Sequence, residues 1–141
     1  MKYALELVVV PVSDVDQAKQ FYIDKVGFTL DNDHRGGDQD FRVVQLTPPG
    51  SACSIAIGNG ITDSRPGTYK GMHLVVDDIQ GAHTELTDRG VTVSPIRHMG
   101  PAGWVPGPDP SHADFNSFAD FADPDGNVWV LQEVRYAKGD S

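Results

Sequence analysis

One segment of this chain occurs twice, sixty-four positions apart. Val12-Ser13-Asp14-Val15 returns as Val76-Asp77-Asp78-Ile79, and one deletion later Gly27 is matched by Gly90. In both copies an apolar run ends at an Asp that can cap a helix, and the Gly follows the last basic residue of that helix. A repeat of this size predicts two half-domains of the same kind, each beginning with a strand and a helix.

The pattern of apolar residues extends this prediction to the whole chain. The predicted first half has strands at about 4–12, 27–33, 40–47 and 53–58 and a helix at about 14–25. The predicted second half has strands at about 70–76, 91–98, 115–122 and 127–134 and a helix at about 78–89. Each half reads βαβββ, which is an α+β fold with mixed sheets. A polar linker at about 59–69 joins module 1, at about 1–58, to module 2, at about 70–135.

Composition and charge exclude several classes of partner. The net charge of −9 disfavours nucleic acids and anionic membranes, because both require a basic surface. No apolar run is long enough to cross a bilayer, and the N-terminus lacks the features of a signal peptide. A single cytoplasmic domain over residues 1–141 is therefore expected. The lone Cys53 leaves no internal disulfide, and its apolar setting favours a buried thiol.

Three motifs, in this order on a βαβββ repeat, resemble one known family. They are Val12-Ser13-Asp14-Val15 with Phe21-Tyr22 and Gly27-Phe28, Val76-Asp77-Asp78-Ile79 with Leu86 and Gly90-Val91, and the turn Asp123-Pro124-Asp125-Gly126-Asn127. The chain is similar over nearly its whole length to the vicinal oxygen chelate superfamily, which includes glyoxalase I, bleomycin-resistance proteins, fosfomycin-resistance enzymes and extradiol dioxygenases. The resemblance implies tandem βαβββ modules whose sheets curl around a cleft for a small molecule or metal, with helices outside, and it implies a homodimer.

The resemblance also implies positions for metal ligands, and these positions hold unsuitable residues. The two first-strand positions, seven residues before each capping Asp, are Leu7 and Gly71, and the last-strand position is Val130. The remaining position falls within 54–57, which offers no strong donor. Leu, Gly and Val cannot coordinate a divalent cation through their side chains. No metal and no other cofactor is therefore predicted at the usual site.

A displaced metal site built from Glu6, His73 and Glu133 stays open as an alternative. Side chains alternate along a strand, so if Leu7 and Val130 face the cleft, His73 faces it too. Glu6 and Glu133 would face away, and only a register slip or a bulge in both strands would bring them in. A second, loop-borne alternative consists of His98 and His112 with Asp109 or Asp114.

The same alternation predicts an apolar cleft that contains a few polar groups. His73 and Gln132 are expected side by side on parallel neighbouring strands, with His73 as a general acid or base. Gln132 would fix the tautomer of His73 or hold a substrate oxygen. The alternative is an ordinary hydrogen-bonded core histidine. The aliphatic residues expected around this pair are Leu7, Val9, Val75, Val128 and Val130. Such a pocket favours an aromatic or otherwise apolar ligand.

Two further segments are candidates for completing the site. His34 could transfer a proton and Arg42 could pair with an anionic or carbonyl group, if both meet with Arg35 at one end of the cleft. The segment 99–114 is rich in Gly and Pro, as binding loops or lids commonly are, and Trp104 is expected to cover a bound ring. The alternatives are a charged hairpin rim for the first segment and a structured crossing at the protein edge for the second.

Three classes of function follow from the resemblance and from the missing ligands. The favoured class is a metal-free enzyme with isomerase- or lyase-type acid–base chemistry on a largely apolar or aromatic small molecule, through His73 or His34. The second is a non-catalytic protein that sequesters a drug, as bleomycin-resistance proteins do. The third is a metal-dependent lyase or dioxygenase whose metal site is displaced. All three have a small molecule as partner, and none has a nucleic acid or a membrane.

Overall fold

The chain folds into two compact units of mixed α and β structure. The structure is a computed structural model that describes residues 1–37 and 40–135. Unit 1 is Met1–Tyr69 with Asp123–Asn127, and unit 2 is Lys70–Ala122 with the chain from Val128 onward. Within the described ranges, no helix has the length and apolar content that a membrane crossing requires. The predicted α+β class is confirmed.

Unit 1 contains a four-stranded mixed sheet and one helical segment. Its strands are β1 (Leu7–Val9), β2 (Thr29–Arg35), β3 (Arg42–Thr47) and β4 (Ser54–Asn59), in the order β1-β4-β3-β2. Strand β1 runs parallel to β4, and the other neighbours are antiparallel. Helix α1 (Val15–Gln20) continues as a π-helical segment (Phe21–Val26) and packs against β4. The buried apolar residues of these elements include Val15, Ala18, Tyr22, Val44, Leu46, Ile55 and Ile57.

Unit 2 contains a five-stranded mixed sheet and helix α2 (Ile79–Asp88). Its strands are β5 (Met72–Val76), β6 (Arg97–Gly100), β7 (Gly103–Pro106), β8 (Phe118–Ala122) and β9 (Val128–Glu133), in the order β5-β9-β8-β6-β7. Strand β5 runs parallel to β9, and the other neighbours are antiparallel. Helix α2 packs against β8 and β9. The buried apolar residues of these two strands are Ala119, Phe121, Trp129 and Leu131.

The repeated segment has the same physical basis in both units. The carboxylate of Asp14 accepts a hydrogen bond from the backbone N–H three residues further on at 3.1 Å, and Asp78 does the same at 3.0 Å. Each helix is followed by a glycine in the left-handed conformation, Gly27 with φ of 87° and Gly90 with φ of 89°. Glycine adopts this conformation without steric cost. The capping Asp and the terminating Gly predicted from the repeat are confirmed.

The second half departs from the prediction after α2. The strand expected at about 91–98 begins only at Arg97, as β6, and part of the Gly/Pro-rich segment expected as a loop or lid forms a hairpin of β6 and β7. Gly103, with φ of 123°, follows the reversal between these strands. Pairing across the hairpin gives hydrogen-bond partners to backbone groups that would lack regular partners in a loop. Unit 2 therefore has one strand more than βαβββ, and Trp104 lies on a strand.

A buried carboxylate holds the Asp-Pro-Asp-Gly-Asn turn within unit 1. Asp123 accepts hydrogen bonds from the Tyr22 hydroxyl at 2.8 Å, from the Asn127 amide at 2.8 Å, and from two backbone N–H groups of the turn. Asn127 also donates to the Pro11 carbonyl at 2.8 Å and accepts from the Tyr69 N–H at 3.2 Å. Asp123, Tyr22 and Asn127 are all buried. Each polar group thus has the partner that burial requires.

Arg42 lies buried in an ion-pair network that joins α1 to the edge strand β2. Its guanidinium donates to Asp33 at 3.0 and 2.8 Å and to Asp16 at 2.7 Å, and Lys19 donates to Asp33 at 2.8 Å. Hydrogen bonds from Arg42, and then from Lys19, hold the pKa of Asp33 well below its usual range. The hydrogen bond to Asp33 in turn raises the pKa of Arg42. A bidentate pair of this kind is strong and directional.

The predicted placement of Arg42 beside His34 in a ligand site is wrong. His34 lies opposite Val43, and Arg42 lies opposite Arg35. Residues opposite each other share a face of the sheet, so His34 and Arg42 lie on different faces. His34 is exposed on the face away from the ion-pair network. The sequence contains a signal for this arrangement, because alternation places Arg42 on the same face as Val44. The Arg42 guanidinium is occupied by carboxylates of its own unit.

Removal of the Asp123 carboxylate should destabilise unit 1. We expect Asp123→Ala to lower the free energy of unfolding by about 2–4 kcal/mol, because a buried donor left without a partner costs about 1–3 kcal/mol. Tyr22→Phe should cost less, about 1 kcal/mol, because it removes one of the four hydrogen bonds. Urea unfolding measures both values. Asp63→Ala, at an exposed linker position, is the control and should stay within about 0.5 kcal/mol.

The contribution of the Asp33–Arg42 pair to the free energy of unfolding should decrease as the pH falls. Because the folded-state pKa of Asp33 lies below the ordinary value of 3.8, its contribution is present above that value and is lost as the pH falls. The difference in unfolding free energy between wild type and Asp33→Asn should therefore shrink between about pH 6 and about pH 2. Urea unfolding at several pH values measures it. A difference that stays constant over this range would contradict the assignment.

Candidate functional site

Alternation along the strands divides the sheet of unit 2 into two faces. The odd-numbered residues of β9 are buried on the side of α2, and the even-numbered residues lie on the opposite, partly exposed face. The parallel register of β5 and β9 places His73 opposite Val130 and Val75 opposite Gln132 on that face. This surface is the open face of unit 2. It carries the residues that the alternation argument assigned to the cleft in this half of the chain.

His73 is exposed on the open face, and its own strand orients its ring. The Nδ1 atom lies 2.8 Å from the carbonyl oxygen of Gly71. Because a carbonyl can only accept, Nδ1 carries the hydrogen, and in the neutral ring Nε2 can accept a proton. Gln132 shares the face but is opposite Val75, and its amide nitrogen donates to the Phe115 carbonyl at 3.2 Å. The Gly71 carbonyl therefore sets the tautomer of His73, and of the two roles expected for Gln132 the holding of a substrate oxygen stays a prediction.

An aromatic cluster occupies the part of the open face formed by β6, β7 and β8. Trp104 is 55% exposed, and its ring meets Phe118 edge to face, with the centroids 5.5 Å apart. The guanidinium carbon of Arg97 lies 5.2 Å from the Trp104 ring centroid, and Asp120 binds that guanidinium at 3.1 Å. Met99, opposite Trp104 in the hairpin, adds exposed apolar surface. These five residues are called the aromatic face.

The loop between β7 and β8 is tied down by its own polar groups. Asp109 accepts hydrogen bonds from the backbone of Ser111 and from the Asn116 amide. These bonds, with Ser111 contributing most, lower the pKa of Asp109. Asn116 also accepts from the N–H of Met99 at 3.1 Å and donates to its carbonyl at 3.1 Å. The loop is thus fixed against β6, beside the aromatic face.

The side chains considered for a displaced metal site are separated or already engaged. Glu133 is fully buried on the side of α2, where it accepts from the Ile79 N–H at 2.9 Å and pairs with His112 at 2.8 Å. His73 lies on the opposite face, and His98 bonds to a backbone carbonyl at 2.7 Å. In the part of the chain that the structure describes, no three His, Cys, Asp or Glu side chains gather as metal ligands would. The described side chains are therefore not gathered as either displaced site would require.

The sheet of unit 1 also has an open face, and it carries a polar cluster that the sequence analysis missed. Leu7 and Val9 lie on this face beside β4. The Thr47 hydroxyl donates to the carboxylate of Asp31 and lies 2.6 Å from the Ser54 hydroxyl. Asp31 is the extra residue of a bulge in β2. A bulge is invisible to a period-two pattern, because only the register with the neighbouring strand reveals it.

Comparison with known proteins agrees with the motifs. Residues 4–131 match the family model of the Glyoxalase/Bleomycin resistance protein/Dioxygenase superfamily. TnmS3, an antibiotic binding protein from Streptomyces sp. CB03234, is similar in structure, with a TM-score of 0.72 and 33% identity over 94% of this chain and 96% of that one.

Two further crystal structures are comparably similar. A glyoxalase/bleomycin resistance protein from Streptomyces sp. CB03234 has a TM-score of 0.69 and 34% identity, covering 92% of this chain and 99% of that one. A superfamily member from Sphaerobacter thermophilus DSM 20745 has a TM-score of 0.72 and 31% identity, covering 94% and 98% respectively. The resemblance inferred from the three motifs is confirmed. The chain belongs to the glyoxalase/bleomycin resistance protein/dioxygenase superfamily.

Proposed function

We propose that this protein binds a planar aromatic small molecule on the aromatic face of unit 2. The observation that carries the proposal is Trp104, which is 55% exposed although Phe118 and Arg97 already hold its ring. A contiguous exposed apolar surface on a soluble protein commonly marks a ligand or partner site. A side chain that is oriented before binding loses little conformational entropy when a ligand stacks on it.

The chemistry of the aromatic face suits a ring system with polar substituents. Trp104 and Phe118 offer π surfaces, and the thioether of Met99 is polarisable and adapts to ring edges. Arg97 and Asp120 neutralise each other, so the face adds no net charge and favours a neutral ring. The guanidinium of Arg97 has five N–H donors, and those not bonded to Asp120 can donate to carbonyl or hydroxyl oxygens of a ligand.

The similarity to TnmS3 supports ligand binding as the function. TnmS3, which is 33% identical to this chain, is an antibiotic binding protein. Leu7, Gly71 and Val130 stand where members of the family with a metal centre hold ligands, and none of the three can bind a cation. We infer that the ligand is an aromatic, antibiotic-like compound that the protein sequesters.

Acid–base chemistry at His73 is a second candidate function, and one observation favours it. Because Nδ1 donates to Gly71, Nε2 is left to accept a proton on the same open face as Phe118. A ligand that reaches from the aromatic face to β5 could lose a proton to Nε2 and regain it at another atom. That sequence describes an isomerisation, and a lyase step would follow if the deprotonated ligand expelled a leaving group instead of regaining the proton.

Substitution of Trp104 should separate ligand binding from protein stability. The chain has two tryptophans, Trp104 exposed and Trp129 buried. Titration of the wild-type protein with planar polycyclic aromatic antibiotics should quench the fluorescence of Trp104. The variant Trp104→Phe should still bind the ligand, and its remaining fluorescence comes from Trp129. We expect Trp104→Ala to weaken binding, measured by calorimetry, about 10- to 100-fold, or about 1.4–2.8 kcal/mol.

The matched control for this experiment is Phe41→Ala, which removes an exposed aromatic side chain from unit 1. Its dissociation constant should stay within about twofold of the wild-type value, or about 0.4 kcal/mol. Equal weakening by Phe41→Ala, or unchanged binding by Trp104→Ala, would show that the aromatic face is not the site.

Substitution of His73 distinguishes sequestration from turnover. Mass spectrometry of a ligand recovered after prolonged incubation with wild-type protein should show the compound unchanged if the protein only binds it. If the ligand is converted, His73→Ala should abolish conversion while binding stays within about tenfold, because the imidazole acts on the reacting atoms rather than on the stacked ring. Conversion that survives in His73→Ala would remove His73 as the acid or base.

A further inference from the structure

Unit 1 carries a second candidate ligand site, on the open face of its own sheet. We propose that this site binds the ammonium group of an amino sugar or of a similar polyhydroxylated amine. It consists of Asp31, Gln45, Thr47 and Ser54, called the polar row, which crosses β2, β3 and β4. The proposal is independent of the aromatic face, because it uses other residues in the other unit.

A bulge places the carboxylate of the polar row. Leu30 lies opposite Leu46 and Asn32 lies opposite Gln45, so Asp31 is an additional residue with no partner of its own on β3. Its carboxylate reaches across the open face to β3, where it meets the Thr47 side chain. Bulges re-aim side chains in this way and are frequent beside functional sites.

The hydrogen bonds inside the polar row all run towards one oxygen of Asp31. The Thr47 hydroxyl donates to Oδ2, and the Gln45 amide nitrogen lies 3.5 Å from the same atom. The single hydroxyl hydrogen of Thr47 is used on Asp31, so in the 2.6 Å contact with Ser54 the Ser54 hydroxyl is the donor. Ser54, Thr47 and Asp31 thus form one chain of hydrogen bonds that ends on Oδ2 of Asp31, and the Gln45 amide reaches the same atom.

The polar row leaves two oxygens and one N–H group for a ligand. Among the described residues, no hydrogen bond involves Oδ1 of Asp31 or Oε1 of Gln45, and the Gln45 amide uses one of its two N–H groups on Asp31. The strongest partner for the Asp31 carboxylate is a cationic donor. Arg42 does not supply one, because it lies on the opposite face with Asp33. The net charge of −9 adds a long-range attraction for cations.

The surroundings of the polar row favour a sugar over a simple amine. Ser54, 6% exposed, closes the row at its buried end, and Leu7 of β1 lies beside it. Val9 continues the aliphatic side of the same face. A sugar ring presents C–H groups and hydroxyl donors together, so it can contact Leu7 and Val9 while its amine reaches Asp31. A small alkylammonium ion would use only the carboxylate.

Nuclear magnetic resonance titration with two matched sugars tests this proposal. D-glucosamine and D-glucose differ by one ammonium group in place of one hydroxyl at about pH 6, where a sugar amine is protonated. We expect glucosamine to shift the amide resonances of Asp31, Gln45 and Thr47 in a saturable way, with millimolar affinity. Glucose should bind at least about tenfold more weakly, and salt should weaken glucosamine binding because the Asp31 end is exposed.

Asp31→Asn is the decisive variant, because it keeps the shape of the side chain and removes its charge. It should weaken glucosamine binding at least about tenfold, whereas Asp63→Asn, at an exposed position of the linker, should leave binding within about twofold. Equal shifts with glucose, or unchanged glucosamine binding in Asp31→Asn, would overturn the proposal. Neither result would test ligand binding at the aromatic face, because that binding is measured by Trp104 fluorescence with different ligands.

Discussion

Neighbouring side chains on a strand point to opposite faces, and in each sheet of this protein one of the two faces forms the core. In unit 2 the buried face carries Phe121, Trp129 and Leu131, and each large side chain of this kind contributes roughly 1.5–3 kcal/mol when fully buried. The other face contributes much less to stability. It can therefore hold exposed groups such as His73 and Trp104, and everything proposed about ligands depends on this division.

The same division decides what a charged residue does. Arg42 is buried and pairs with the exposed carboxylate of Asp16 and with Asp33, so its charge stabilises the contact of α1 with β2. Arg97 lies on the open face of the other sheet, where its guanidinium lies over the Trp104 ring and pairs with Asp120. Both are arginines paired with aspartates, and the face of the sheet separates the structural role of Arg42 from the ligand contact proposed for Arg97.

The family includes enzymes and antibiotic-binding proteins on one fold, so the fold alone does not assign an activity. Particular side chains favour binding as the function. Aliphatic or glycine residues stand at the usual ligand positions, and an oriented, exposed indole lies on the open face of unit 2. The polar row of unit 1 differs in kind, because it offers a carboxylate oxygen without a hydrogen bond among the described residues. The two surfaces are therefore proposed for ligands of different chemistry.

Features that arise from local periodicity and from short-range hydrogen bonds could be predicted from the chain of residues alone. The repeat predicted the capping roles of Asp14 and Asp78, and alternation predicted that His73 and Val130 share one face. Features that depend on register between distant segments emerged only in the folded chain. These are the β6–β7 hairpin, the bulge at Asp31 and the face on which Arg42 is paired. Strand register is a non-local property, since the backbone partners of a residue lie elsewhere in the chain, and a local pattern carries no record of them.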